Sequence, residues 1–323
     1  MTHPSPAPLR IGTRRSALAL RQSEMVRDAL AALGAASVLV TFDTVGDLRL
    51  DRALSALGEK GAFTAELESA LRAGEVDLCV HSLKDLPTVL PADIGALATP
   101  PREDPRDVLI VRAGVAAASL AELPPGARVG TCSLRRRAQL GALRPDLDVR
   151  DLRGNVQTRL RRLDEGEHDA ILLAAAGLRR LGLHERITAA LDAPWWLPAP
   201  GQGAIAVQAR AGDPRTGALL AALHHAPTAS AVRAERALLN ALDGGCQVPI
   251  GALAAQDGDA HVLHGLVASL DGSRLLRGAV PMDPRDPEAG GRTLAALLRA
   301  EGADAILRQV RADRTPALVG AEG

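Results

Sequence analysis

A lysine and an aspartate stand side by side in His81-Ser82-Leu83-Lys84-Asp85-Leu86-Pro87, directly after the strand-like run Val76-Asp77-Leu78-Cys79-Val80. Lys84 and Lys60 are the only lysines among 38 basic residues. A chain so biased towards arginine keeps lysine mainly where a compact ammonium is needed. An ammonium beside a carboxylate at the C-terminal mouth of a strand can hold an anionic substrate and handle charge or protons. The competing reading is a solvated charged loop. Cys246 offers a second reactive group, in Leu242-Asp243-Gly244-Gly245-Cys246-Gln247-Val248-Pro249. Two glycines before it and a proline soon after put the thiol on a tight, exposed corner, whereas Cys79 lies in an apolar run. A loop-borne thiol suits covalent attachment or nucleophilic attack, and no histidine flanks it.

A third concentration of chemistry is cationic. Between Arg128 and Arg162 lie ten arginines against three aspartates and no glutamate. Arg135 and Arg136 fall in the first turn of an expected helix, Arg153 at the next strand-to-helix corner, and Arg159 one turn further. Helix N-termini attract anions, and arginine forks bind carboxylates and phosphates two-pronged. The expected ligand therefore carries several anionic groups, with Arg137, Arg144, Arg161 and Arg162 left to solvate helix faces.

Composition removes the main competitors. The net charge is zero, aromatics are limited to Phe42, Phe63, Trp195 and Trp196, and no Gly-x-x-x-x-Gly-Lys-Ser/Thr loop occurs. Nucleic-acid binding and a Walker-type phosphate site are therefore disfavoured, and multiple carboxylates are favoured. Three widely spaced cysteines suggest neither a disulfide framework nor a zinc site, so no metal is expected. No secretory signal or membrane-spanning run is evident, and the default is a cytoplasmic protein.

The elements that must position these groups read as two similar α/β lobes. Leu9-Arg10-Ile11 runs into Gly12-Thr13-Arg14-Arg15-Ser16 and an amphipathic helix closed by Gly34. Ser37–Phe42 is a strand, 46–62 a mobile loop, and 64–73 a short helix before the Lys84-Asp85 strand. The same grammar restarts at Arg128-Val129-Gly130-Thr131-Cys132-Ser133. It continues through a helix over 134–143, a strand over 147–152, a helix N-capped by Asn155 and a buried strand over 170–175. This alternation predicts largely parallel sheets. Pro198-Ala199-Pro200-Gly201-Gln202-Gly203 marks a hinge before a strand over 204–208. From about 222 the chain reads as a small α+β domain, with a hairpin at Asp271-Gly272.

Taken together, His81–Asp85, Gly130-Thr131-Cys132-Ser133-Leu134-Arg135-Arg136, Leu152-Arg153-Gly154-Asn155-Val156-Gln157-Thr158-Arg159-Leu160 and the Gly244–Pro249 corner resemble the hydroxymethylbilane synthase (porphobilinogen deaminase) family. Thr13-Arg14-Arg15-Ser16, Gly58-Glu59-Lys60-Gly61, Arg102–Asp107 and Pro200-Gly201-Gln202-Gly203 extend the likeness, in the family's order, from about Leu9 to Val280.

The resemblance implies two periplasmic-binding-protein-like α/β lobes around a cleft plus a small C-terminal α+β domain. The boundaries expected are 1–101 with 199–221, then 102–198, then 222–323. It implies a dipyrromethane cofactor joined by a thioether to Cys246, on which four porphobilinogen molecules are deaminated, joined head to tail and released as 1-hydroxymethylbilane. Asp85 matches the catalytic aspartate, which stabilises the cationic azafulvene left by ammonia and handles the proton lost after coupling. Lys84, Ser82, Thr131, Ser133, Arg135, Arg136 and Arg153 match cofactor-binding positions, and Arg14, Gln22 and Arg159 substrate-binding ones. Lys60 and Phe63 flank a loop over the cleft. Cys132 stands where the family usually has serine or threonine and is expected only to pack or bond weakly. Trp195-Trp196 has no counterpart and is expected to pack at the hinge. Porphobilinogen is the expected partner, with no nucleic acid or membrane, and the chain is expected to be a monomer. The rival class is a non-catalytic bilobal binder of a small polycarboxylate, which needs neither Asp85 beside Lys84 nor the Gly-Gly-Cys corner.

Overall fold

The computed structural model describes residues 7–44, 64–243 and 248–314. Lys60, Phe63, Cys246 and the loop expected over 46–62 lie outside the described residues.

Three sheets organise the chain. The first takes β1 (Leu9–Arg14), β2 (Ser37–Phe42), β3 (Leu78–Ser82), β4 (Ala96–Ala98) and, from much later, β10 (Ile205–Ala209), in the order β2-β1-β3-β10-β4. The second takes β5 (Asp107–Val111), β6 (Arg128–Gly130), β7 (Asp148–Arg150), β8 (Ala170–Ala174) and β9 (Ala189–Leu191), in the order β7-β6-β8-β5-β9. The two orders correspond strand for strand. In each sheet four strands run the same way and a fifth, lying between two of them, runs against them, so that two of the four pairings are antiparallel: β10 with β3 and β4, and β5 with β8 and β9. The sheets are thus mixed, not largely parallel, because each antiparallel strand directly follows a segment that has just crossed from the other lobe.

Helices α1 (Ala17–Ala32) and α2 (Ala65–Arg72) flank the first sheet. The second lobe carries α3 (Leu134–Leu143), α4 (Val156–Asp164) and α5 (Ala175–Arg180). Both faces of the second sheet are buried, so alternate residues serve separate cores. Leu109, Val129 and Leu172 pack on one side and Val108, Ile110, Ile171 and Leu173 on the other.

Helices α6 (Pro214–Leu223) and α7 (Ala226–Ala241) lead into an antiparallel sheet of β11 (Ile250–Asp257), β12 (Ala260–Ala268) and β13 (Leu275–Pro281). Two helices follow this sheet. Gly302, at φ 100°, separates α8 (Pro287–Ala300) from α9 (Ala303–Arg314). This unit touches both lobes. Val232 of α7 packs with Leu83, Leu86 and Ala204 of the first lobe, while Leu253 and Leu266 pack with Ala138 and Leu197 of the second. The β12–β13 turn lies so close to α3 that a Cβ on Gly272 would sit 2.3 Å from the Ala142 backbone nitrogen. No described helix is long and apolar enough to cross a membrane.

Candidate functional site

Asp85 ends a short 3-10 turn, Leu83–Asp85, at the C-terminal end of β3. Fully buried Leu83 anchors that turn, and its N–H donates to the Ala204 carbonyl of the returning chain at 3.0 Å. The neighbouring side chains are therefore carried on rigid backbone and point out of the core: Ser82, Lys84 and Asp85 are all half-buried. Asp85 shares a pocket with Arg14 at the end of β1, with Ser16, the N-cap of α1, and with Gln22 and Ser82. Gln22, itself buried, bonds the Ser82 hydroxyl at 3.0 Å.

The second lobe presents its corners to the same region. Ser133 N-caps α3, its hydroxyl accepting from the Arg136 N–H at 3.4 Å, and the Thr131 hydroxyl accepts from the Ser133 N–H at 3.2 Å. Asn155 N-caps α4, accepting from the Thr158 N–H at 2.9 Å. Gly154 takes φ 110° at that corner, a conformation that favours glycine, and its carbonyl accepts from Arg159 Nε at 2.7 Å. Burial lowers the pKa of Arg159, while Cys132 and Asp85 push it up and Arg136 and Arg153 push it down. A guanidinium of one lobe and the carboxylate of the other thus lie within electrostatic reach. Cys132, half-buried, has Arg159 Nη2 at 4.0 Å from its sulfur.

Arg135 and Arg136 are placed differently from Arg159. Both are buried, and both end on Asp107, the fully buried first residue of β5, at 2.6 and 2.7 Å. Arg135 Nη1 also donates to the Leu197 carbonyl at 2.6 Å and Arg136 Nη1 to that of Leu172 at 2.8 Å. Arg136 Nε remains buried without a hydrogen-bond partner. Burial opposes ionisation of Asp107, but the two guanidiniums outweigh it and hold the carboxyl well below the ordinary carboxylate range. Trp196 Nε1 and Gln202 Nε2 complete the shell, each at 2.8 Å. The tryptophan pair therefore splits. Trp196 is buried on Asp107, whereas Trp195 is 70% exposed, with Arg277 stacked 5.9 Å from its ring.

Lys84 faces this cluster. Its Nζ donates to Gln202 Oε1 at 3.2 Å. Burial pushes its pKa down to about 8, with Asp85 and Asp107 pulling up and Arg136 and Arg135 pushing down. An ammonium so poised gains by meeting a carboxylate.

Asp107, Gln202 and Arg180 were not singled out from sequence as site residues. Arg180 is 9% exposed, donates to the Gly203 carbonyl at 2.7 Å, and keeps a buried Nε without a partner. Burial brings its pKa down to about 10. Among the described residues no cluster of histidine, cysteine, aspartate and glutamate could hold a metal ion.

Comparison with known proteins gives a consistent answer. Residues 9–218 match the family model "Porphobilinogen deaminase, dipyromethane cofactor binding domain", and 229–300 match "Porphobilinogen deaminase, C-terminal domain". The porphobilinogen deaminase of Roseiflexus castenholzii is 52% identical over 301 residues, covering 93% of this chain and 98% of its own length. That of Moorella thermoacetica is 53% identical over 306 residues, covering 94% and 97%. Among solved structures, a putative methionine-binding lipoprotein of Bacillus subtilis aligns with a TM-score of 0.41 and 12% identity, covering 68% of this chain and 92% of its own.

Proposed function

This chain belongs to the porphobilinogen deaminase family, and from that premise we propose which of its residues carry the reaction. The activity is hydroxymethylbilane synthase, an enzyme of porphyrin biosynthesis that uses a dipyrromethane cofactor. We assign Asp85 as the catalytic carboxylate and Cys246 as the covalent attachment point. Lys84, Ser82, Thr131, Ser133, Arg135, Arg136 and Arg153 are assigned to the cofactor, and Arg14, Gln22 and Arg159 to the incoming porphobilinogen. The loop bearing Lys60 and Phe63 is assigned to cover the cleft.

The observation that supports this reading best is the setting of Asp85: it shares a pocket with Arg14, Gln22 and Ser82 of its own lobe, and Arg159 of the other lobe lies within electrostatic reach. The donor set suits the cofactor, whose rings each bear two carboxylates: guanidiniums gather on one lobe, and one of them, Arg136, has a buried Nε lacking an acceptor. When bound, the dipyrromethane supplies the nucleophilic pyrrole carbon from which the chain grows. Lys84 and the arginines bind carboxylates two-pronged or end-on and fix the rings in register. Asp85 accepts pyrrole N–H bonds, lowers the energy of the positive charge that develops as ammonia departs, and takes the proton lost after coupling. Gln22 orients Ser82 beside it.

The domain division 1–101 with 199–221, 102–198 and 222–323 is supported by sheet membership. We read the protein as a cytoplasmic monomer. Among the described residues the large exposed apolar side chains, such as Met25, Val89, Leu143 and Leu297, belong to several different elements. Light scattering on the purified protein checks the monomer.

The experiment that tests the catalytic assignment is Asp85→Ala. The variant should keep the wild-type melting transition and lose at least about 100-fold in porphobilinogen consumption, the scale expected for one charge-stabilising group. Retained turnover would remove Asp85 from the catalytic role.

A further inference from the structure

Gln202 lies between two glycines with positive φ, Gly201 at 73° and Gly203 at 85°, and is itself 1% exposed. The two segments that cross between the lobes touch here. Glu103 N–H donates to the Gly203 carbonyl at 3.1 Å, and a Cβ on Gly203 would lie 2.4 Å from the Glu103 oxygen. The backbone carbonyl of Gln202 is pinned by Arg102 Nε at 2.8 Å.

Its side chain has one orientation. Both amide hydrogens are spoken for, by the Pro105 carbonyl and by Asp107 Oδ1, each at 2.8 Å. Oε1 is thereby left to face Lys84 Nζ at 3.2 Å. One amide therefore spans the lobes, with the buried carboxylate that binds Arg135 and Arg136 at one end and the Lys84–Asp85 turn at the other.

We propose that Gln202 is a positioning residue for the reaction: it holds the Lys84 ammonium beside Asp85 and keeps it protonated for a carboxylate of the growing chain. A neutral acceptor serves this purpose where a carboxylate would not, since a charged partner would occupy the ammonium that the substrate needs. The groups facing Lys84 are Asp85 on its own turn, Arg135 and Arg136 on α3, and Asp107 on β5. Burial and the arginines discourage its charge, while Asp85 and Asp107 sustain it, and the amide oxygen adds an acceptor in direct contact. Through Asp107 the same amide responds to movement of the two arginines. The inference rests on the assignment of Lys84 to carboxylate binding.

Because the chain has only two lysines, the test can be direct. Holoenzyme carrying [ε-13C]lysine gives two side-chain signals, and that of Lys84 is identified by its loss in Lys84→Met. Gln202→Met should lower the Lys84 titration midpoint by about one pH unit, the value of one ordinary hydrogen bond to a charged group. The alkaline limb of porphobilinogen consumption should move down with it, so that turnover recovers at lower pH. Gln202→Glu, isosteric with the native side chain, should raise the midpoint. An unmoved midpoint, or a uniform loss of turnover at every pH with the limb in place, would overturn the proposal. Should the methionine variant fail to fold, the Gln202→Glu midpoint decides alone. Full turnover in Lys84→Met would remove Lys84 from the reaction while leaving its coupling to Gln202 measurable in the same spectra.

Discussion

Arg102 and Glu235, 133 positions apart, form a two-pronged pair: Nη1 to Oε1 at 2.7 Å and Nη2 to Oε2 at 3.0 Å. The same carboxylate, fully buried, accepts the Gly201 N–H at 2.7 Å and the Ala254 N–H at 2.9 Å. A single side chain of α7 thus ties both inter-lobe crossings to the first strand of the third sheet.

Glu235→Ala should therefore cost about 3–5 kcal/mol of unfolding free energy, since it strands a largely desolvated guanidinium, 11% exposed, and two backbone donors. Urea denaturation checks this. Arg233→Ala is the contrast. Its pair with Glu288 is equally short at 2.6 Å but surface-exposed, and should be worth under about 1 kcal/mol. Equal effects in the two variants would mean that distance, not desolvation, sets the strength.

His81 carries an acid-stability prediction. Burial pushes its pKa from 6.5 down to about 4, with a Gln208 hydrogen bond pulling back and Arg14 adding to the depression. Below pH 6.5 the unfolded chain binds a proton that the folded chain refuses until about pH 4. This stability is complete above the higher value, is lost as pH falls between the two, and amounts to about 3 kcal/mol. His81→Gln should flatten that part of the Tm-against-pH curve. An undiminished slope would show that His81 is not held neutral.

Cys132 and Cys246 should behave differently. Intact mass and peptide mapping of the wild type should find two linked pyrrole units on the peptide containing Cys246. Cys246→Ser should lose the adduct and Cys132→Ser should keep it, because the Cys132 sulfur is engaged only by a weak contact from Arg159. An adduct that survives in Cys246→Ser would move the attachment site.

Much of this arrangement is local and so was legible in the sequence. Asn155 is a helix N-cap because a short polar side chain before an apolar-periodic run satisfies free N–H groups, and both lobes restart with the same strand-to-helix corner. Asp107 was not legible. It closes a proline- and charge-rich stretch that reads as solvated, while its partners Arg135, Trp196 and Gln202 lie 28, 89 and 95 positions away. For the same reason the bonds of Arg135 and Arg136 to Asp107 could not be read from the sequence. Gln202 was hidden in a Pro-Gly-Gln-Gly turn whose glycines announce a bend but not what the bend delivers. The antiparallel strand of each sheet escaped too, since its neighbours in space are remote in sequence.

The interleaving of the two sheets also imposes an order of assembly. The second sheet draws all five strands from one continuous stretch, β5 to β9, whereas the first waits for β10, which pairs with β3 and β4 only after the entire second lobe has been made. During synthesis the lobe that emerges first is the one completed last. Until Ile205–Ala209 appears, β3, whose end bears the Lys84-Asp85 turn, has an open edge, and Leu83 lacks the Ala204 carbonyl that anchors it. A nascent chain arrested between the lobes would therefore carry Lys84 and Asp85 on a turn that still lacks its anchoring strand.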